Sequence, residues 1–327
     1  MRADDNPPTP ANEPSSTSAP SMQGKTVLVT GSTSGIGNET ARTLAALGAH
    51  VILTGRDPDR AADAVRRITS VGGRAEAITA DLALQSGLRD LARRLAERHG
   101  RLDVLVNNAG GMAASRTLTS DGVERTFAVN VLAPYTLTCL LLPLLRAAPA
   151  ARVVNLTGGI PGGPIDPAGL QAEKRFLGWT FSQYNHAKTA VLALTYDLAD
   201  HLAATERANV NAAAGACAES AGVTVNVAYP GHAYTPGNRS LGFRAFPYAY
   251  RPLVPLLHLL GPRLMNDLSK AARTSVYLAS EPALRDVTGA YFTTRLQRAP
   301  WPESVLDPGN RAAVWDLCQR LSGLTPS

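Results

Sequence analysis

Tyr184 and Lys188, in YNHAK at 184–188, stand one helical turn apart, so both side chains point to one face. A phenol with an ordinary pKa near 10 is a poor acid or base at neutral pH. An ammonium group beside it favours the phenolate and draws that pKa towards the working range. Alone, such a pair is most often just a contact on a helix surface. A second pattern makes it specific. VTGSTSGIG at 29–37 closes the β-branched run KTVLVTG and opens a helical period over 38–49. Gly31, Gly35 and Gly37, with Ser32, Ser34 and Ile36 between them, let backbone amides approach a pyrophosphate. The helix N-terminus then faces its negative charge.

The elements that must position these residues alternate along the chain. Apolar runs at 25–31, 50–56, 75–82, 102–110, 151–159, 222–231 and 289–294 read as strands. Helical patterns stand between them at 38–49, 58–73, 87–100, around 119–147 and at 182–204. Continuous apolar strands alternating with helices predict an α/β fold: a doubly wound parallel sheet of about seven strands, covered on both faces. Residues 1–22 are rich in Pro, Ser and Asn and read as a disordered tail before a single domain over 23–327. ATERANVNAAAGACAES at 204–220 reads as an inserted surface loop. The second strand ends LTGRD, with Gly55 where an NAD-type sequence carries an acidic ribose partner. Arg56 follows and can pair with a 2′-phosphate, which favours NADP(H) over NAD, while Asp57 caps the next helix.

With the glycine pattern, four further motifs resemble the short-chain dehydrogenase/reductase family over nearly all of 23–320: NNAG at 107–110, Asn130 in FAVNVLAPY, YNHAK, and YPGHAYT at 229–235. LQAEKRF at 170–176 and SVYLASEP at 275–282 look most like its retinol-dehydrogenase-like branch. The resemblance implies an oxidoreductase with Tyr184 as acid/base, Lys188 as the group that lowers its pKa, and Asn130 as the anchor of a water linking Lys188 to solvent. It also implies cofactor contacts from Asp81, Leu82, Asn108, Ala109, Gly110, Pro230, Gly231 and Thr235, and a homo-oligomer.

VVNLTGG at 153–159 departs from that pattern, which places a serine donor at this strand end. Counting from Asn155 puts Gly158 at the donor position and Thr157 one residue short, facing the wrong way on a regular strand. A bulge at the glycines would re-aim Thr157 and make it catalytic. Three uses stay open: carbonyl–alcohol redox chemistry, a non-redox cyclase or isomerase that uses Tyr184 as acid/base, and a non-catalytic cofactor-binding protein.

SLGFRAFPYAYRPLVPLLHLLGPRL at 240–264 is apolar and Pro-broken, at the position of a substrate lid. It suits a bulky lipophilic substrate of retinoid, steroid or secondary-metabolite type, or peripheral membrane contact. The net charge of +6 comes from scattered arginines with no basic run among aromatics, which argues against nucleic acid. Three widely spaced cysteines give neither a disulfide framework nor a metal site and suit a reducing, cytoplasmic compartment. Neither an apolar leader nor an uninterrupted 18-residue apolar run is present.

Overall fold

The computed structural model describes residues 21–113, 115–159, 162–173, 180–212, 221–231 and 267–326. Seven parallel strands run in the order β3-β2-β1-β4-β5-β6-β7: β1 (Thr26–Thr30), β2 (His50–Thr54), β3 (Arg74–Ala77), β4 (Val104–Asn107), β5 (Ala150–Leu156), β6 (Ala221–Ala228) and β7 (Ala290–Phe292). A two-residue strand, β8 (Arg298–Ala299), adds antiparallel to β7, so the sheet has eight strands. The sequence reading missed β8 because two residues carry no periodicity.

The central strands β1, β2, β4, β5 and β6 are buried on both faces, whereas the edge strands β3 and β8 are partly exposed. Leu28, Ile52, Leu105 and Val153 pack into one core with α3 (Gln85–Arg98), α4 (Arg125–Arg146) and α5 (Thr180–Ala212). Their strand neighbours Val29, Leu53, Val106 and Val154 pack into a second core with α1 (Gly35–Ala46), α2 (Pro58–Thr69) and α6 (Leu268–Ser280). This period-2 partition is what makes the strands read as unbroken apolar runs.

Several boundaries differ from expectation. Met22 is buried and its N–H donates to Leu47 O at 2.9 Å, so the packed chain begins before Gln23. α4 starts at Arg125 rather than near 119, because a turn closed by the Leu118–Glu124 bridge precedes it. α5 runs on to Ala212, so 204–212 continues the helix and is not loop; Ala- and Glu-containing sequence has the propensity to do so. The remainder of that stretch, the apolar 240–264 segment and Thr235 lie outside the described residues. α4 is long and apolar enough to cross a bilayer, but 72% of its apolar window is buried inside the domain, as for a core helix.

Candidate active site

The strand order reverses direction between β1 and β4, and the crevice beyond their carboxyl ends is where such sheets bind ligands. β1 runs into Gly31 at φ 62°, and α1 starts at Gly35 at φ 60°, both left-handed positions that glycine adopts without strain. A Cβ on Gly37 would stand 2.3 Å from Asn108 Nδ2 and 2.6 Å from Gly31 O, so the turn closes only with glycine there. Asn108 Nδ2 donates to Thr30 O at 2.8 Å, and Ala109 N donates to the Thr30 hydroxyl at 2.9 Å. The NNAG turn after β4 thus braces the glycine turn after β1. Ser34 is the N-cap of α1 but makes no side-chain cap, leaving first-turn amides directed at the crevice. Ser32 is turned inward instead: its hydroxyl donates to Val29 O at 2.6 Å and accepts from Thr54 N at 3.0 Å. Its side chain is therefore a clamp between β1 and β2.

Gly55, at the end of β2, is pressed against Thr33; a Cβ there would lie 2.7 Å from Thr33 Cγ2. A side chain at this position would have to displace the Thr33 side chain. Arg56 beside it is exposed and makes no salt bridge among the described residues. Asp57 caps α2, accepting from Asp59 N and Arg60 N. Asp81 Oδ1 accepts from Ala83 N at 3.0 Å, holding the turn after β3 with Leu82 buried behind it. Pro230 and Gly231 follow β6, with Gly231 at φ 74°.

The chemical groups converge at the ends of β4 and β5. Lys188 is buried, and its Nζ donates to Leu156 O at 2.9 Å and lies 5.8 Å from the centre of the Tyr184 ring. Burial pushes the Lys188 ammonium down to about 8 and the Tyr184 phenol up to about 12. The expectation that Lys188 lowers the phenol's pKa is thus not met by these side chains alone: burial, and after it the neighbouring Tyr229, push it up. The phenol thus holds its proton across the physiological range, and proton donation needs further positive charge beside it, such as a bound cofactor's nicotinamide ring would bring. Gly110 lets the backbone pass close: a Cβ would lie 2.8 Å from Asn130 Oδ1 and 3.1 Å from Lys188 Nζ.

Asn130 sits in a widened π turn, Ala128–Leu132, inside α4. Such turns recur at functional sites. Its Nδ2 donates to Thr126 O at 2.7 Å and to Gly111 O at 2.8 Å. Both amide protons are spent and Oδ1 accepts from Gly111 N at 3.4 Å, so the side chain braces the main chain just after NNAG against α4.

β5 keeps its ladder as far as Thr157, and the chain turns away only at Gly159, at φ 67°. Thr157 N continues the ladder to Ala228 O at 3.1 Å, and the buried Thr157 hydroxyl donates to Lys188 O at 2.9 Å. Thr157 is therefore a positioning residue for α5, which corrects its assignment as catalytic donor. Gly158 faces the chemistry: a Cβ there would lie 2.7 Å from the Tyr184 hydroxyl. The phenol occupies the space a serine side chain would claim.

Sequence reasoning missed three groups. Tyr229 reaches the same strand end, donating to Gly159 O at 3.3 Å; it opens the YPG motif but was not assigned a role. Asn107 and Asn155 link β4, β5 and α5 beneath the site, with Asn107 Nδ2 donating to Asn155 Oδ1 at 2.8 Å and Asn155 Nδ2 to the Thr195 hydroxyl at 2.9 Å. Polar residues inside apolar strands were the available signal.

A glycine cradle at the switch point, with a tyrosine and a buried lysine beside it, defines a dinucleotide-binding α/β protein of oxidoreductase type. Residues 25–242 match the short chain dehydrogenase family. The chain is 34% identical to human "Retinol dehydrogenase 13", covering 93% of this chain and 86% of that one. It is 31% identical to "Putative daunorubicin C-13 ketoreductase DnrU" from a Streptomyces species, covering 93% and 94%. Among solved structures it resembles the "RhlG/NADP active-site complex" of Pseudomonas aeruginosa, at 30% identity and TM-score 0.60, covering 84% of this chain and 95% of that one. The protein belongs to the short-chain dehydrogenase/reductase family, in its retinol-dehydrogenase-like branch, whose fold binds a nicotinamide cofactor.

Proposed function

We propose that this protein is an NADP(H)-dependent oxidoreductase that interconverts a carbonyl and an alcohol on a bulky lipophilic molecule. The observation that carries the reading is the neutral Tyr184 phenol backed by buried Lys188 at the mouth of the glycine cradle. Tyr184 donates the proton to the carbonyl oxygen in reduction and takes it back in oxidation. Lys188 orients it and supplies positive charge, and Asn130 holds the main chain just after NNAG. The nicotinamide supplies or accepts the hydride. Gly31, Gly35 and Gly37 would hold its pyrophosphate, with Asp81, Leu82, Asn108, Ala109, Gly110, Pro230, Gly231 and Thr235 along its length. Two observations support NADP(H): glycine at 55, where a side chain would have to displace that of Thr33, and the salt-bridge-free Arg56 beside it.

Lipophilic substrate preference rests on the apolar 240–264 sequence, with Phe243, Phe246, Tyr248 and Tyr250, and on relatives named for retinol and for a daunorubicin ketone. A homo-oligomer in the cytoplasm fits the family and the free thiols Cys139 and Cys318. Gly158 in place of a donor favours a second reading, acid/base chemistry by Tyr184 without hydride transfer. The test is NADPH oxidation with a panel of bulky ketones and aldehydes, run beside Tyr184→Phe. Turnover in the parent and none in the variant, at unchanged NADPH affinity, is expected. Turnover that survives in the variant overturns the mechanism, and NADPH binding without oxidation by any carbonyl moves the assignment to the non-redox reading.

A further inference from the structure

At the end of the sheet remote from Tyr184, His50, Glu76 and His99 come together. We propose that they form a binding site for one divalent transition-metal ion of the zinc type. Their ligating atoms all lie within 4.8 Å of one another. Both imidazoles aim Nε2 at the same oxygen, Glu76 Oε1, at 2.6 Å from His99 and 3.6 Å from His50. A tetrahedral zinc with bonds of about 2.0–2.2 Å spaces its ligand atoms roughly 3.4 Å apart. The three atoms therefore need displacements well under the length of a bond to close around one ion.

The fold explains the convergence. His50 opens β2, and the register pairs His50 with Arg74 and Ile52 with Glu76. Side chains two residues apart share a face, so His50 and Glu76 lie on the face that α3 covers. His99 is the C-cap of α3 and reaches down onto them. The other Glu76 oxygen, Oε2, accepts from Arg98 Nη1 at 3.2 Å, which turns Oε1 towards the histidines. Outer partners of this kind orient a metal-binding carboxylate. The two rings meet edge to face, 5.5 Å between centres and 62° between planes, so neither blocks the space between the nitrogens.

The donor set selects the ligand. Two imidazoles and one carboxylate suit zinc, nickel or copper, whereas magnesium and calcium prefer oxygen alone. The side chains keep 14–26% of their surface exposed, leaving a route for the ion and room for a water as fourth ligand. The site joins the edge strand β3, its neighbour β2 and the end of α3, so the bound ion is a structural clamp. His50 at the amino end of β2 and His99 at the C-terminal end of α3 set it away from the crevice at the carboxyl ends of the strands.

The test is a titration of the chelator-stripped full chain with Zn2+ alone, read by calorimetry and by metal analysis after gel filtration. One equivalent per chain is expected, with a rise in the thermal midpoint. His99→Gln and Glu76→Gln should each weaken binding by more than the 10–100-fold typical of an outer-shell loss, and Arg98→Gln by about tenfold. His50→Gln supplies the same readout if His99→Gln fails to fold. NADPH affinity of the folded variants should match the parent, which separates this site from the nucleotide crevice. Absence of a stoichiometric zinc, or equal zinc affinity in the glutamine variants, overturns the proposal.

Discussion

At the strand end neither Thr157 nor Gly158 offers a side-chain donor to the Tyr184 hydroxyl. Thr157 spends its hydroxyl on Lys188 O. Thr157→Val should therefore lower stability by about 1 kcal/mol, the usual net value of such a bond, while changing the single-turnover hydride-transfer rate by less than about threefold. Gly158→Ser places a donor against the Tyr184 hydroxyl, and the phenol must shift to admit it, since a Cβ there would lie 2.7 Å from its oxygen. Where a lost donor costs ~10²–10³ in rate, its partial restoration should raise carbonyl reduction at least ~10-fold. Rapid-mixing measurement of NADPH consumption reads both variants, and a rate unchanged in Gly158→Ser would show that this position does not limit hydride transfer. Lys188 carries a stability cost of its own. Its pKa is near 8 in the folded protein and 10.5 in the unfolded chain, so between these values the unfolded chain binds more protons and stability rises with pH. Below about pH 8 the penalty is present in full. Lys188→Met should therefore be more stable than the parent at pH 7, by an amount on the order of 1–3 kcal/mol, and the gap should close towards pH 10.5. The same variant should lose turnover. Denaturant unfolding at several pH values checks the sign.

At the scale of elements, the site depends on how α4 begins and how α5 is held. Buried Glu124 caps α4, accepting from Thr126 N at 2.9 Å and Phe127 N at 2.8 Å, and it receives Gln183 Nε2 of α5 at 3.3 Å. One carboxylate thus ties the helix carrying Asn130 to the helix carrying Tyr184 and Lys188. Glu124→Ala removes the cap and strands two amides, and should cost about 2 kcal/mol or more. The effect reaches beyond stability, because the relative placement of the two helices sets the distance between Asn130 and Lys188. A fall in turnover at saturating NADPH, in protein still folded at the assay temperature, is the expected result. Full turnover in that protein would show that Glu124 serves folding alone.

For the whole molecule, the doubly wound sheet places the nucleotide crevice at the carboxyl ends of the strands, within a chain of net charge +6. A ligand that binds only the folded state stabilises it by about 2.7 kcal/mol at a hundredfold excess over Kd. NADPH should therefore raise the thermal midpoint more than NADH at equal concentration. Arg56→Ala should remove most of that difference by weakening NADPH at least ~10-fold while leaving NADH within about threefold, as for loss of one charge-assisted contact. Equal shifts by the two nucleotides in the parent would refute the cofactor preference.

The alternation of apolar runs with helical periods determined a sheet covered on both faces, because a strand buried on two sides takes a polar residue only where a partner satisfies it, as Asn155 does for Asn107. The glycines of VTGSTSGIG determined the turn between β1 and α1, since left-handed dihedrals and close backbone approach leave few other choices. The one-turn spacing of Tyr184 and Lys188 determined that they share a face. Tertiary structure alone decided where hydroxyls and charges point. Thr157 faces Lys188 O because β5 holds one register against β6 from Arg152 to Leu156, and that register depends on a strand some seventy residues away. Burial, a property of the packed molecule, set the pKa values of Tyr184 and Lys188 against the simple pairing rule. His50, Glu76 and His99 come from three separate segments with no local spacing to mark them, and only the pairing of β2 with β3 beneath α3 brings their ligand atoms together.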